Sequence, residues 1–167
     1  NACPPANDDC VDAQVLTLNP DGTCPANSVT GTTLGADQTG ALPGCQASGT
    51  AQDVWYTFNS GVSSSFTMTL TAATAGNIGV ELFTACGTPV SGACLANILP
   101  INNPITITVA PGTDYWLRVF TDVSTGAPGT FNICVSAFDP CLDIQNITAC
   151  AVSTQATRPA GTGAWTG

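Results

Sequence analysis

Hydrophobic and polar residues alternate along two aromatic-rich runs, and the other predicted elements are arranged around them. In residues 53–58 the side chains of Val54, Tyr56 and Phe58 share one parity, and residues 115–120 form the second run. A β-strand sends alternate side chains to opposite faces of its sheet. Each run therefore predicts a strand with a heavy inner face. We predict that these two strands form the middle of a β-sandwich.

Shorter runs with the same period of two predict further strands on either side. Residues 66–71 and 105–109 alternate apolar residues with threonine, as half-buried strands do. A tight turn at 110–113 predicts that 105–109 and the second aromatic run form an antiparallel hairpin, and residues 86–94 are predicted to form a loop. The remaining predicted strands are 14–18, 28–34, 78–83, 95–99 and 130–138. The pattern indicates an all-β, antiparallel sandwich of about nine strands.

Changes in composition divide the chain into three parts. Residues 1–12 are rich in Pro, Asp and Cys, which predicts an extended linker. Residues 13–140 hold the predicted strands and form the sandwich domain. Residues 141–167 contain one extended run and a Thr-, Gly- and Ala-rich remainder. We expect this segment to be donated to a neighbouring domain or to begin one. Because the sequence does not start with Met, we also expect a processed piece of a secreted precursor.

The charge balance narrows the range of partners. The 167 residues are 44% hydrophobic and only 8% charged, with eleven acidic residues, two basic residues and a net charge of −9. High apolar content with few charges argues against disorder. An acidic surface repels phosphate backbones, so we expect no nucleic-acid partner. No apolar run approaches the ~20 residues that span a bilayer, so we expect no membrane insertion.

The residues available for catalysis are few. The sequence has no His and no Lys, which excludes Ser-His and Cys-His nucleophiles and Schiff-base chemistry. Glu81 is the only glutamate and lies on an ordinary predicted strand, facing outward. Asp53 is expected to be a turn or cap residue, since aspartate is favoured in turns. We therefore predict no enzyme activity, no catalytic residue and no required cofactor.

Nine cysteines without a CxxC pair or a histidine indicate disulfides formed in an oxidising compartment. Sequence does not fix their connectivity. Loop closure favours pairs that are close in sequence. The resulting pairs are Cys86–Cys94 and Cys141–Cys150, with Cys10–Cys24 and Cys45–Cys134 as the remaining candidates. Cys3 is left over, and we predict that it bonds to another chain or domain.

Two groups of residues suggest ligand binding. Asp8, Asp9 and Asp12 crowd one short segment and are candidate calcium ligands, because calcium takes about six to eight oxygen ligands. Solvated linker residues are the plainer interpretation of this cluster. The aromatic residues that could form a sugar-stacking platform, with packing inside the sheet as the alternative, are Trp55, Tyr115, Trp116 and Trp165.

Four segments resemble a known family. They are residues 6–10 (Ala-Asn-Asp-Asp-Cys), 53–58 (Asp-Val-Trp-Tyr-Thr-Phe), 115–119 (Tyr-Trp-Leu-Arg-Val) and 129–135 (Gly-Thr-Phe-Asn-Ile-Cys-Val). The chain resembles the β-sandwich repeats of large secreted Bacteroidetes proteins, related to the bacterial pre-peptidase C-terminal domain. The resemblance covers about residues 6–138. It implies a jelly-roll-like fold that accompanies enzymes, adhesins and surface fibres, and it carries over no active-site residue.

The favoured function is a non-enzymatic structural module of an extracellular, cell-surface or fibre-forming protein. Residues 142–156 would pair with the sheet edge of another copy or an adjacent domain, and Cys3 would lock the junction by a disulfide. The alternative is a module for carbohydrate binding or calcium-dependent adhesion. A third hypothesis is a passive accessory domain attached to a secreted protease.

Overall fold

The computed structural model describes residues 3–46, 48–97 and 104–138, and the backbone alone for most of 88–97. These residues form nine strands and one short 3-10 helix at Cys10–Asp12. None of them forms an apolar helix long enough to cross a membrane. The strands are β1 (Gln14–Val15), β2 (Val29–Thr32), β3 (Ala51–Asn59), β4 (Ser65–Ala72), β5 (Ile78–Ala85), β6 (Thr88–Asn97), β7 (Ile105–Thr108), β8 (Asp114–Asp122) and β9 (Thr130–Ala137).

The strands lie in two sheets. Sheet A has the order β1-β3-β8-β5-β6 and sheet B the order β2-β9-β4-β7. Neighbours are antiparallel except β1 and β3, which are parallel. The two aromatic strands, β3 and β8, pair along nine consecutive residues, from Ala51↔Asp122 to Asn59↔Asp114. The predicted all-β, jelly-roll-like sandwich with an aromatic pair at its centre is therefore confirmed.

The core lies between the sheets and is built from the parity that the sequence predicted. Val54, Tyr56 and Phe58 are each at most 1% exposed. Phe58 packs on Phe66 of sheet B with ring centroids 4.6 Å apart. Burying each such side chain stabilises the fold by about 1.5–3 kcal/mol. Gly31 of β2 packs closely on the core, because a Cβ there would overlap the Tyr56 hydroxyl and the Phe131 ring.

The predicted hairpin between 105–109 and 115–120 is wrong. β7 pairs with β4 in sheet B, whereas β8 lies in sheet A. The turn between them therefore crosses from one sheet to the other. Ser60 holds this crossing, since its hydroxyl donates to the Ala110 carbonyl at 2.7 Å and accepts from the Thr113 N–H at 3.0 Å. Alternation identified both strands, but it carries no information about which strand each would pair with.

The loop predicted at 86–94 is also wrong. A tight turn at Cys86 and Gly87 leads directly into β6, and Gly87 has φ +79°, a conformation that favours glycine. β5 and β6 form a hairpin whose register shifts at three places. Gly and Pro residues in this stretch were interpreted as loop signals, whereas they belong to an irregular edge strand, where such residues are tolerated.

Two disulfides join segments that are far apart in sequence, Cys10–Cys86 and Cys24–Cys134. The predicted pairs Cys86–Cys94, Cys10–Cys24 and Cys45–Cys134 are therefore wrong. Sequence distance failed as a guide because the sheet order, and not the loop length, decides which cysteines meet. Cys45 is disulfide-bonded as well. The predicted Cys141–Cys150 bond and the whole segment 141–167 lie outside the described residues.

Candidate functional site

Two chain segments cover the outer face of sheet A, and the first is the N-terminal stretch 3–13. Asn7 forms two hydrogen bonds with Trp55 of β3. The backbone N–H of Trp55 donates to the Asn7 carbonyl at 2.8 Å, and the Asn7 side-chain amide donates to the Trp55 carbonyl at 2.9 Å. Cys10 is buried and bonded to Cys86 beyond β5. The part of the predicted linker that the structure describes is thus fastened to the sandwich.

The second covering segment is the loop 36–46, and the N-terminal stretch helps to hold it. The Asp37 N–H donates to the Asp8 carboxylate at 2.9 Å, and the Thr39 hydroxyl donates to the Asp8 carbonyl at 2.9 Å. Burial raises the pKa of Asp8, with the nearby Asp37 and Asp9 charges acting in the same direction. Asp8 therefore joins the two covering segments to each other.

In the described part of the chain, the acidic residues predicted to bind calcium do not form a metal site. Asp9 lies 3.4 Å from the Thr39 hydroxyl, and Asp12 is exposed on the 3-10 helix. Among the described residues, no three acidic, His or Cys side chains, Asp8 included, converge to hold a metal ion. The structure does not bring the three predicted ligands together.

A buried ion triad lies beneath the covering segments. Arg118 of β8 stands between Asp53 of β3 and Glu81 of β5, with nitrogen–oxygen distances of 2.6 Å and 3.5 Å. Asp53 is fully buried, and Glu81 and Arg118 are each 3% exposed. The three residues lie on adjacent strands: Arg118 pairs directly with Glu81 of β5, whereas on β3 it pairs with Trp55, two residues from Asp53. The structure thus assembles them from separate parts of the sequence.

The loop 36–46 supplies the hydrogen bonds that the triad needs in order to be buried. Arg118 donates to the Ala41 carbonyl at 2.8 Å, and the Gly44 N–H donates to Glu81 at 2.5 Å. The Thr39 N–H donates to Asp53 at 3.1 Å. Arg118 Nε and Glu81 Oε2 remain without a hydrogen-bond partner. The cover and the triad therefore depend on each other.

The sealed position determines what the triad can do chemically. Burial raises the pKa of Asp53, while the hydrogen bond and charge of Arg118 oppose that rise. The expectation that Asp53 is a turn or cap residue is wrong, because it lies within β3 and is an ion-pair partner. Glu81 does face outward as predicted, but the loop covers it. The triad organises the cover of sheet A and is closed to a substrate.

The aromatic side chains on this face pack against the same cover. The Trp55 ring lies 5.0 Å from that of Phe83, and the Arg118 guanidinium lies 5.6 Å from the Trp55 centroid. Trp55 is 3% exposed, and Trp116 is half-buried against this cluster. Tyr115 lies on the other face, in the core between the sheets, and is 5% exposed. These positions favour sheet packing over a sugar-stacking platform, and Trp165 lies outside the described residues.

A second candidate site is a cleft at the side of the sandwich, between the edge strands β1 and β2. We call it the side cleft. It encloses about 250 Å³ and is lined by residues 15–17, Asn19, Asn27, Val29 and 133–135. The Asn19 amide donates to the Val135 carbonyl at 3.1 Å and accepts from the Asn27 amide at 3.2 Å. The Cys24–Cys134 disulfide fixes the β1–β2 connection beside it.

The strand β2 presents an unpaired edge next to the side cleft. The Thr33 N–H donates to the Gly129 carbonyl at 2.9 Å, in the register of the β2–β9 ladder. Hydrogen-bonded pairs alternate along an antiparallel ladder, so Val29 and Gly31 bond to β9. The backbone N–H and C=O groups of Thr30 point the other way. No backbone group among the described residues bonds to Thr30 on that side.

Sequence reasoning missed the main elements of both sites. Arg118 is one of two basic residues and lies in the middle of an aromatic strand. A lone cation at a sheet position is a signal for a buried ion pair. Asn19 and Asn27 gave no such signal, because asparagine near Pro20 and Gly22 is ordinary turn composition. Only the fold shows that they line a cleft.

Comparison with solved structures finds similar chains of low identity. The pre-peptidase C-terminal domain of a collagenase from Bacillus anthracis is 16% identical, covers 74% of this chain and 93% of its own, and gives a TM-score of 0.43. PliG from Aeromonas hydrophila, a periplasmic inhibitor of g-type lysozyme, is 13% identical, with coverages of 74% and 98% and a TM-score of 0.37. No curated protein matches the chain.

A family match covers most of the sandwich. Residues 6–133 match the model of a T9SS-associated family described as galactose binding domain-like, where T9SS is the type IX secretion system. The match begins in the N-terminal stretch that covers sheet A and ends in β9. It confirms the resemblance to a secretion-associated β-sandwich family. The chain therefore belongs to the T9SS-associated, galactose binding domain-like family.

Proposed function

We propose that this chain is a non-enzymatic structural module of an extracellular or cell-surface assembly, joined to copies of itself or to adjacent domains through its terminal segments. The observation that carries the proposal is the β2 edge beside the side cleft, which no described strand pairs with. Unpaired strand edges recruit further strands unless charge, proline or a covering segment blocks them. No charged residue occurs between Asp21 and Asp37, the stretch that contains β2.

The distribution of charged groups supports a structural role. Both carboxylates and the guanidinium of the triad are used to hold the cover of sheet A. The sequence offers no His or Lys with which to activate a nucleophile. A secretion-associated family agrees with the disulfides and supports a location outside the cell or in its envelope.

Cys3 supports a covalent junction between modules. It is exposed and carries a free thiol, and it lies at the end of a segment that Cys10–Cys86 fixes to the sandwich. A thiol held near a fixed point meets the same site on a neighbour repeatedly, which raises its effective concentration there. Cys3 would therefore reinforce a junction that noncovalent contacts have already formed.

Native mass spectrometry of the full chain over a range of concentrations tests the proposal, with negative-stain microscopy of the same samples. We expect species of more than one chain that grow with concentration, and strings or fibres in the images. The proposal is overturned if only single globules and single-chain masses are observed at every concentration.

A second candidate function is carbohydrate binding, favoured by the amide groups of Asn19 and Asn27 in the side cleft and by the family description. Polar groups in a cleft with apolar walls are typical of small-ligand sites. Calorimetric titration with galactose tests it, with Asn27→Ala as the site variant. Asn59→Ala, at an exposed Asn outside the cleft that bonds to Asp114, is the control. Heat of binding that is lost in the first variant alone would favour this function over the structural one.

A further inference from the structure

We infer that the side cleft and the β2 edge together form the acceptor site for a β-strand, and that its occupant is the segment beginning at residue 141 of a second copy of this chain. The inference rests on the proposed function, because it names the site and the segment through which modules join. Residues 142–145 of the incoming segment would pair beside Thr30, with their apolar side chains in the cleft.

The first step is the backbone of β2. Thr30 directs its N–H and C=O away from β9, and no described backbone group satisfies them. Thr30 is exposed and Val29 is half-buried. Added strands gain their affinity from main-chain hydrogen bonds to such an edge. Among the strands that the structure describes, β2 is therefore an edge strand of sheet B.

The second step is the cleft beside that edge. Its floor consists of core residues, with Leu16, Ile133 and Val135 exposed by 4%, 0% and 1%, while Val15 on its rim is 75% exposed. Because the floor is already buried, an inserted apolar side chain would mainly cover Val15 and the half-buried Val29. The disulfide Cys24–Cys134 and the Asn19 hydrogen bonds hold the cleft open before binding, which lowers the cost of ordering it.

The third step is the match between the cleft and the segment. In the sequence, Leu142 and Ile144 alternate with Asp143 and Gln145. In an extended strand this period of two places both apolar residues on one face and both polar residues on the other. Beside β2, the apolar face would enter the cleft and the polar face would meet water.

The fourth step is the choice of a second copy over the same chain. β9 ends at Ala137, and the described chain continues to Phe138. Near its end, the edge of β9 that faces β2 is already occupied by Asn19. The Asn19 N–H donates to the Val135 carbonyl at 3.0 Å, and the Ala137 N–H donates to the Asn19 carbonyl at 2.8 Å. Asn19 therefore occupies the edge of β9 next to the end of β2. A neighbouring copy would instead approach the outer edge of β2 from solvent.

A complementation experiment tests the inference, using native mass spectrometry on the full chain. All variants carry Cys3→Ser, so that only noncovalent contacts are measured. Thr30→Pro removes the outward N–H and leaves the β9 ladder intact. Its control, Thr30→Val, keeps the N–H and loses only the bond from the Thr30 hydroxyl to Asn132. Leu142→Asp places a charge on the apolar face of the donor, and Gln145→Asp places the same charge on its polar face.

We expect Thr30→Pro and Leu142→Asp each to remain single chains, and their equimolar mixture to give a two-chain species that grows no further. The Thr30→Val and Gln145→Asp controls should assemble as the parent does. The affinity of the Leu142→Asp donor should fall by about tenfold or more, because an unpaired carboxylate is costly to bury.

The other outcomes separate the two proposals. If the parent assembles and Thr30→Pro assembles equally well, the acceptor site is wrong and the proposed function stands. If the parent never exceeds one chain, the proposed function fails and this inference fails with it. If the parent is a single chain and Thr30→Pro unfolds more easily than Thr30→Val, the segment binds its own sandwich, which overturns the choice of a second copy.

Discussion

The outer faces of sheet A and sheet B differ in the polar groups that they carry and in how those groups are satisfied. On sheet A, two chain segments and the Cys10–Cys86 disulfide cover a buried ion triad. On sheet B, neutral residues meet water, as in the Thr67–Thr106 hydroxyl pair at 3.2 Å. The β2 edge beside them carries no charge, and its outward backbone groups have no partner in the described part of the chain.

The difference suggests that one surface of the module serves its stability and another serves association with a neighbour. Charge at an exposed edge discourages strand addition, whereas charge beneath a cover fixes the position of the loop above it. In this chain the ion pairs lie under the cover, and the edge beside the cleft is left neutral. Four experiments test this division, from the largest expected effect to the smallest.

Arg118→Met should have the largest effect, because it leaves Asp53 and Glu81 buried without a cation. Breaking a buried ion pair costs about 3–5 kcal/mol, so we expect a loss of this size in the free energy of unfolding by urea. The control is the triple variant Asp53→Leu, Arg118→Met, Glu81→Leu, which removes all three charges. It should be much more stable than Arg118→Met alone. A triple variant as unstable as the single one would mean that hydrogen bonds to the loop, and not charge pairing, hold the cover.

Removal of the Cys10–Cys86 disulfide by paired serine substitutions should lower the free energy of unfolding by about 2–5 kcal/mol. The bond closes a loop between residues 76 apart in sequence and so restricts the unfolded chain. Trp55 fluorescence should also shift toward that of a solvated indole, because the covering segment loosens. Cys3→Ser is the matched control and should change neither signal. An unshifted spectrum in the paired variant would show that the other contacts hold the segment unaided.

Asp122, at the end of β8, should make the stability of the fold depend on pH in the acid range. Hydrogen bonds from Ser124, and then from Thr125, hold the pKa of Asp122 below its ordinary value of 3.8. Its contribution to stability is therefore complete above that value and is lost as the pH falls through the lower, folded-state pKa. Asp122→Asn should reduce the fall in thermal stability between neutral and strongly acidic pH. An unchanged pH profile would show that other carboxylates dominate acid unfolding.

Thr67→Val and Thr106→Val, on the outer face of sheet B, should have the smallest effect. Their hydroxyl bond is exposed, and substitutions at such surface positions usually stay within about 0.5 kcal/mol. Urea unfolding of each variant measures this. A loss comparable to that of the disulfide variant would mean that the face carries a cover as important as that of sheet A.

The strand pattern was predictable from sequence because β3 and β8 carry aromatic and β-branched residues at every second position. The pairing of β7, the start of β6 and the disulfide partners were not predictable. Each depends on which strands become neighbours, and local alternation is the same for every possible neighbour. The candidate sites were hidden for the same reason, since Asp53, Glu81 and Arg118 meet only after three strands have paired. Arg118, a single cation within an aromatic strand, was the local signal available.

Hydrogen exchange of the full chain at low and high protein concentration tests the central claim most directly. We predict that the backbone amides of Thr30 and Thr32 become protected as concentration rises, while those of β3 are protected throughout. Protection of β2 that does not change with concentration, or that appears instead at β6 or β7, would contradict the account of how this module joins its neighbours.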